Sequence, residues 1–421
     1  MTAPPEAVPP HLGRGETLDY AFALEAPGEA WVALTLTAPG TSWARAEAAV
    51  ACLEVDGRAA QHLVLAGGED AVEYARLLGR LSAGPHRLVL RFDAALSAPG
   101  AHALECRGVS VRAVPDDDAA AFLWRHAPVL HYRTLDGPLD GLTTDTPLLL
   151  FHRPVETADG RGVEYHVIYS HEDAGTDLSG LLACWGHTTD IEWVFRVVRD
   201  GCGRIVREEF QGPGHEAVPF RGRRALGGHA MLQVASRNGM VTDRVTSPYR
   251  AALAPVAAQP AGEPREGVQY RFPWIHRVSA LEVMRQERLE REPRSATPAA
   301  ADPRAYLYVQ IRRLPPGGPA PGVEALARIR GAWYGSAWHR PDLAFRGQDA
   351  ESTAVKLPPG SGEDEIQAIA LRVVEPSPSP VALRLVRAFC LDDAYRPRPS
   401  FAGPAECTLG AEAPEVQVWR R

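Results

Sequence analysis

Glycine and proline recur so often along this chain, 38 and 37 of them in 421 residues, that few stretches between them are long enough for a regular helix. Short strands joined by tight turns suit such spacing. From 14 to 113 the runs Glu16 to Glu25, Trp31 to Thr37 and His86 to Phe92 alternate polar and apolar residues, and Gly84-Pro85 supplies a turn ahead of the last of them. A period of two places the apolar side chains on one face, as in a half-buried strand. The pattern predicts a mainly β chain, a central β-sandwich with a few short helices flanked by two β-sandwich-like modules.

The first module is expected at 1–115. Pro115-Asp116-Asp117-Asp118 follows, where aspartates can accept from free backbone N–H groups and open a short helix. The central segment, 116–292, has predicted strands at Leu148 to His152, Val163 to Ser170 and Thr189 to Val198. It ends in a predicted amphipathic helix, Val278 to Glu292, with Leu281, Met284 and Leu289 along one stripe for core packing. Glu292 to Pro303 has the composition of a linker. The third segment, 304–421, returns to strands at Ala305 to Arg312, Glu324 to Arg330, Ile366 to Val374 and Val381 to Phe389.

With 45% hydrophobic and 23% charged residues the chain can bury cores, so disorder throughout is excluded. Lys356 is the only lysine and Asn238 the only asparagine. The net charge is −7, and no basic run is longer than Arg221-Gly222-Arg223-Arg224, which argues against a dedicated nucleic-acid binder. No apolar run is long enough to span a membrane, and none near Met1 to Gly13 resembles a signal peptide, so a cytoplasmic location is expected for the chain as written. Six cysteines fall in three neighbouring pairs, Cys52 and Cys106, Cys184 and Cys202, Cys390 and Cys407. They read either as local disulfides, which would imply secretion, or as small buried side chains. No Cys-x-x-Cys, nucleophile elbow, His-Glu-x-x-His, phosphate-binding loop or dinucleotide fingerprint is present. Cys184 is a candidate nucleophile only if it is free of Cys202.

The densest chemistry lies in Tyr165-His166-Val167-Ile168-Tyr169-Ser170-His171-Glu172-Asp173 and in Trp185-Gly186-His187-Thr188-Thr189-Asp190-Ile191-Glu192-Trp193-Val194-Phe195-Arg196-Val197. On a strand, Asp190 and Glu192 point one way, and strict alternation sends Ile191, Trp193, Phe195 and Val197 the other way, into the core. Two adjacent carboxylates repel unless a cation or a shared proton lies between them, and His187 can close over such a cation from the preceding loop. Glu164, His166, Ile168 and Ser170 share a face of the neighbouring predicted strand, which makes His166 a candidate base toward metal-bound water, with His171 beside it. Further polar candidates are His131, Asp145, His152, Glu172, His215, Arg223, His229 and Asn238.

The spacing Gly-His-x-x-Asp-x-Glu resembles the signature of the necrosis- and ethylene-inducing-like proteins, and more loosely that of a vacuolar-sorting-associated family. Ala127-Pro128-Val129-Leu130 and Gly228 to Ser236 are similar to flanking stretches of those domains, so the likeness spans about 120–245. It implies a β-sandwich with a divalent cation (calcium, magnesium or manganese) at its edge, held by Asp173, His187, Asp190 and Glu192. Thr188 and Thr189 stand where that family has Arg and a second His, and the spacer from Asp173 to His187 is longer, so cytolytic activity is not carried over.

Three functions are open to such a chain. It is a binding protein whose divalent cation bridges to a glycan, a glycolipid or another oxygen-rich small molecule; or a metal-dependent hydrolase or lyase with His166 or His171 as base; or a structural or assembly protein. Trp185, Trp193, Tyr165 and Tyr169 offer rings for sugars or apolar ligands in the first two.

Overall fold

The computed structural model describes residues 11–292, 294, 299–315, 321–338, 340–347, 349–375 and 379–421. The chain is mainly β, and its strands form antiparallel-rich sheets with a few short helices. It divides into two compact units: 1–173 with 190–258, and 174–189 with 259–421. No helix among the described residues is long and apolar enough to cross a membrane.

The first unit opens with two facing four-stranded sheets. One has the order Leu12–Gly13, Ala103–Pro115, Gly28–Thr37, Val72–Leu81; the other runs Thr17–Leu24, Gly84–Phe92, Val50–Val55, Arg58–Val64. Leu34 and Leu36 share a face of the first, and Leu53, Leu63, Leu90 and Phe92 share a face of the second, each almost wholly buried. The predicted strands therefore stand where alternation placed them: Thr17–Leu24 is one residue shorter at each end, and Gly28–Thr37 and Gly84–Phe92 begin three and two residues earlier.

The boundary expected at 115 lies inside this unit. Trp31 stacks on Trp124 of the short helix Ala121–His126, with centroids 5.4 Å apart. Leu77 N donates to Ala252 O at 2.7 Å, and the buried Gln61 amide donates to Leu77 O and accepts from Ala252 N. Backbone groups satisfied this way make the two parts of the unit one hydrogen-bonded body.

Two more sheets complete the unit. A six-stranded sheet has the order Ala217–Pro219, Ile205–Gln211, Asp190–Arg199, Gly160–Tyr169, Pro147–Thr157, Ala257–Ala258. The other is built from Arg224–Ala225, His229–Val234, Val129–His131 and Arg250–Ala251, with Val241–Thr242 beside His229–Val234. Val129–His131 and His229–Val234, both singled out in the sequence, are neighbours in a parallel pair with Met231 opposite Val129.

The second unit contains a sandwich of two four-stranded sheets. One has the order Ala350–Lys356, Tyr306–Leu314, Val381–Phe389, Ala405–Leu409; the other Ala332–Gly335, Val323–Ile329, Ile366–Val373, Glu415–Arg420. Leu307, Val309, Val355, Ile369 and Leu385 fill its core. A second cluster joins Leu178, Leu181 and Leu182 to Val283, Tyr306, Tyr308 and Phe389. The lone lysine is buried here, with Lys356 Nζ 2.7 Å from Glu290 Oε1 and from Ala299 O.

Helices depart most from expectation. The spacer after Asp173 contains a helix, Leu178–Trp185, capped where the Asp177 carboxylate accepts from Gly180 N at 2.7 Å. Such a cap stabilises a helix by about 1 kcal/mol. The helix expected at 278–292 runs Trp274–Arg285, and its buried face is Ile275, Val278, Ser279, Glu282 and Val283 rather than the Leu281–Met284–Leu289 stripe. It stops before Glu287, whose φ is +54°, a conformation no α-helix continues through. Of the expected linker Glu292 to Pro303, residues 293 and 295–298 lie outside the described residues.

Helix Leu178–Trp185 ends at Gly186, where φ is +61° and a Cβ would stand 2.8 Å from Ser352 Oγ and from Thr353 N. Replacing Gly186 with Ala should cost about 2–3 kcal/mol, the left-handed strain plus the clash. The same change at Gly360, with φ +73° and open space around it, should cost only about 1 kcal/mol. Paired denaturant melts of the two variants measure the difference.

Candidate functional site

The strands Gly160–Tyr169 and Asp190–Arg199 set the geometry of the candidate site. Tyr169 lies opposite Asp190, Val167 opposite Glu192 and His166 opposite Trp193, but Tyr165 lies opposite Phe195. Val194 is therefore an extra residue, a bulge that breaks the alternation. Asp190 and Glu192 do share a face, as expected. Beyond the bulge, however, Phe195 and Val197 join that same face, beside Tyr165 and Val167, instead of the face of Ile191 and Trp193. The two carboxylates thus stand at the end of the apolar face, where Tyr165, Val167, Tyr169, Phe195 and Val197 have no exposure.

Asp190 is buried and Glu192 half-buried. Gly239, with φ +61°, is the residue against Asp190, and a Cβ there would strike the Asp190 carboxylate and the Tyr169 ring. Tyr169 Oη donates to Gly239 O at 3.0 Å, so the turn 236–240 is tied to the strand end. Burial first, then the nearby charges of Asp190, Asp145 and Glu192, push the Tyr169 phenol well above its ordinary value, against the opposing pull of Arg133. All of these groups belong to the first unit.

Arg133 was not picked out in the sequence. Its buried guanidinium donates to Asp140 at 3.0 and 3.2 Å, to Asp145 at 2.9 Å and to Asp173. Thr144 Oγ1 also reaches Asp173, at 3.4 Å. The aspartates are 12%, 3% and 0% exposed at Asp173, Asp140 and Asp145, so three carboxylates share one cation away from water. Asp145 adopts φ +45°, a left-handed conformation that aspartate tolerates better than most residues. No local signal marks such a group, since its members are spread from 133 to 173 and meet only through the fold.

The other sequence-predicted site residues are placed as follows. Asp173 bonds to Arg133. His187 belongs to the second unit, where Nδ1 is 2.8 Å from Thr189 O and therefore carries the proton. Its Nε2 is 3.8 Å from Glu266 Oε1. Burial pushes His187 down to about 3, so the ring is neutral, while burial raises Glu266. Gln269 donates to Thr189 Oγ1 at 2.8 Å, and Thr188 Oγ1 lies 2.6 Å from Ser279 Oγ. His171 is wholly buried in the first unit. Among the described residues no group of three or more His, Cys, Asp and Glu side chains is arranged to hold a metal ion.

His166 shares its face with Glu164, as the spacing required, and its Nε2 is 2.9 Å from Glu164 Oε1. That face is opposite to the one carrying Asp190 and Glu192, because His166 pairs with Trp193. Its ring stacks on Phe151, with centroids 4.8 Å apart. Glu164 also accepts from Arg153 at 2.6 Å and Arg196 at 2.7 Å. Although burial acts to raise Glu164, the hydrogen bond and charge of His166 and the two guanidiniums hold it well below the ordinary carboxylate range. Arg196 lies over the Trp193 ring at 4.5 Å. The arrangement is an ion-pair cluster, with the proposed base committed to a carboxylate.

Several other candidate histidines hold backbone. His131 Nδ1 is 2.7 Å from Ser247 O, and His229 lies 2.8 Å from Ala127 O and 3.1 Å from Glu29. All six cysteines are free, and the pairs anticipated in the sequence are not joined. Cys184 and Cys202 fall in different units. Burial pushes the Cys184 thiol up to about 11, which leaves little of the nucleophilic thiolate near neutral pH.

No family model matches the chain, and no curated protein matches it. Among solved structures it is similar to the CBM35 of Abf62 from Cellvibrio japonicus, at 18% identity over 24% of this chain and 71% of that one, with a TM-score of 0.18. The CBM36-1 domain of a multidomain xylanase from the hindgut metagenome of Trinervitermes trinervoides shares 14% identity over 27% of this chain and 91% of that one, with a TM-score of 0.20. A GH26-CBM35 β-(1,4)-mannanase from Podospora anserina shares 7% over 27% and 21%, with a TM-score of 0.18.

Replacing Arg133 with Met should destabilise the protein by about 3–5 kcal/mol at neutral pH, because three buried carboxylates lose their cation. Acid should partly rescue that variant as the carboxylates take up protons, so its loss measured by urea melts should be smaller at pH 5 than at pH 7. Glu164 has the ordinary sign for a depressed carboxylate. Its contribution is complete above its unfolded value of about 4.3 and is lost as pH falls toward the folded one. Glu164→Gln should flatten the acid limb of the stability profile below about pH 4.5, read by thermal melts across pH.

Proposed function

We propose that this protein recognises a glycan through a divalent cation held by Asp190 and Glu192 in its first unit. The observation that carries the reading is the concentration of carboxylates there. Asp140, Asp145 and Asp173 already share the Arg133 guanidinium, and Asp190 and Glu192 add charge beside Tyr169 at the end of a largely apolar face. Two carboxylates side by side on one face of a strand repel each other, and a cation between them relieves that repulsion. The donors are all carboxylate oxygens, which suits calcium, magnesium or manganese rather than a thiolate-seeking metal.

Two side chains supply only part of the shell of about six to eight oxygens that calcium takes. The remainder would come from water and from sugar hydroxyls, so cation and glycan would each strengthen the binding of the other. Asp173 and His187 stay outside the proposed set, since Arg133 engages one and the other is fixed on Thr189 in the second unit. A base role for His166 loses support from its position on the opposite face.

Metal analysis of the purified protein and calcium titration followed by thermal melting test the reading. Calcium at about a hundred times its dissociation constant should add about 2.7 kcal/mol, a rise of several degrees. Retardation in gels containing an uncharged polysaccharide should vanish with a chelator and in Asp190→Asn/Glu192→Gln. Melting that ignores calcium, magnesium and manganese alike would refute it, as would glycan retention undiminished by chelator.

A further inference from the structure

We propose that the exposed guanidiniums of Arg221, Arg223 and Arg244 form a docking patch for the carboxylate or sulfate groups of an anionic polysaccharide. From 219 to 252 the chain contains six arginines, 221, 223, 224, 237, 244 and 250, against a single acidic residue, Asp243. Over the whole chain acids outnumber basic residues by 52 to 45, so the stretch is a local reversal of sign. Three of the six are committed elsewhere. Arg224 pairs with Glu208 at 2.5 Å, Arg237 with Asp136 at 2.5 Å, and Arg250 Nε donates to Ala60 O at 2.6 Å.

Arg221, Arg223 and Arg244 are exposed, and among the described residues none of them makes an ion pair. Backbone contacts hold them in one neighbourhood. The Asp243 carboxylate accepts from Arg221 N at 2.8 Å and so turns toward the main chain rather than toward a guanidinium. Arg223 Nη2 donates to Val245 O at 3.2 Å, and Arg244 N to Thr242 Oγ1 at 3.3 Å. The segments 221–223 and 242–245 are thereby fixed side by side, and the Arg223 guanidinium spends one N–H on that link and keeps its others for an anion.

Guanidinium presents a planar fork of donors that matches carboxylate and sulfate, and it sheds water more readily than an ammonium. Three such groups suit a short run of anionic sugars. A nucleic acid duplex needs a broader basic face, and the chain as a whole is acidic. The inference rests on the glycan reading above only for the polymer class of its ligand, because its charge logic does not involve the cation.

Affinity electrophoresis at constant calcium tests it, with polygalacturonate as the carboxylated probe, dextran sulfate as the sulfated one and neutral dextran beside them. One or both anionic probes should bind at least tenfold more tightly than dextran, and the stronger of the two identifies the anion. Raising sodium chloride from 50 to 500 mM should weaken that binding at least tenfold. Arg221→Ala/Arg223→Ala/Arg244→Ala should also lose at least tenfold, whereas Arg58→Ala/Arg161→Ala/Arg328→Ala, which removes three exposed arginines elsewhere, should not. Equal losses in the two triple variants would overturn the patch, as would equal binding of dextran or tighter binding of duplex DNA. Asp190→Asn/Glu192→Gln separates the two proposals. If it leaves the salt-sensitive capture intact while calcium has no effect on melting, the cation reading fails and the patch stands. If calcium acts as proposed but the triple variant binds normally, the reverse holds.

Discussion

One guanidinium holds together the part of the first unit on which the candidate site depends. Arg133 neutralises carboxylates from three separate places, Asp140 at the start of a short helix, Asp145 in the turn before a strand, and Asp173 at the last residue before the chain passes into the second unit. Desolvating four charges is costly, and only close, multiple hydrogen bonding offsets it. The geometry here meets that condition, with Nε and both terminal nitrogens engaged. Because Asp145 and Asp173 flank the paired strand ends Pro147 and Tyr169, the cluster fixes the edge from which Tyr169 meets Asp190.

From that edge a single bulge decides which residues the carboxylates face. Without Val194 as an extra residue, Asp190 and Glu192 would lie on the face opposite Phe195 and Val197. With it, they stand in line with the buried rings of Tyr165 and Tyr169. The same offset lets Trp193 and Arg196 meet on the other face, where Arg196 reaches Glu164 beside His166. One inserted residue therefore sorts the polar side chains of two adjacent strands into an anionic group and an ion-paired group, on opposite sides of one sheet.

This also explains what could be read from the sequence and what could not. The strands were legible because alternation is local. Trp31 to Thr37, His86 to Phe92 and Val381 to Phe389 all fall within observed strands. The common face of Asp190 and Glu192 was legible for the same reason, but the position of Phe195 was not, since alternation cannot announce its own interruption. Helix Leu178–Trp185 was hidden by Gly175 and Gly180, which suggest a loop, although Asp177 three residues before Gly180 was a cap signal in plain view. The Arg133 cluster and the assignment of His187 and Asp190 to different units depend on which unit each stretch joins, and no spacing rule encodes that.

Two charged groups of the first unit differ in depth: the carboxylates around Arg133 and Tyr169 are buried or half-buried, and the guanidiniums of Arg221, Arg223 and Arg244 are exposed. The two act over different ranges. Exposed arginines attract a polyanion through water, over roughly the 8–10 Å that physiological salt leaves unscreened. Buried carboxylates act only at contact, through an ion stripped of part of its water. An acidic polymer would be repelled by the carboxylates alone and captured loosely by the arginines alone. The proposed cation at Asp190 and Glu192 would reverse the first effect without disturbing the second, because it would add positive charge beside those carboxylates. On the two proposals together, the arginines would favour acidic over neutral polymers by charge, and the cation would select among acidic ones by how their hydroxyls complete its shell.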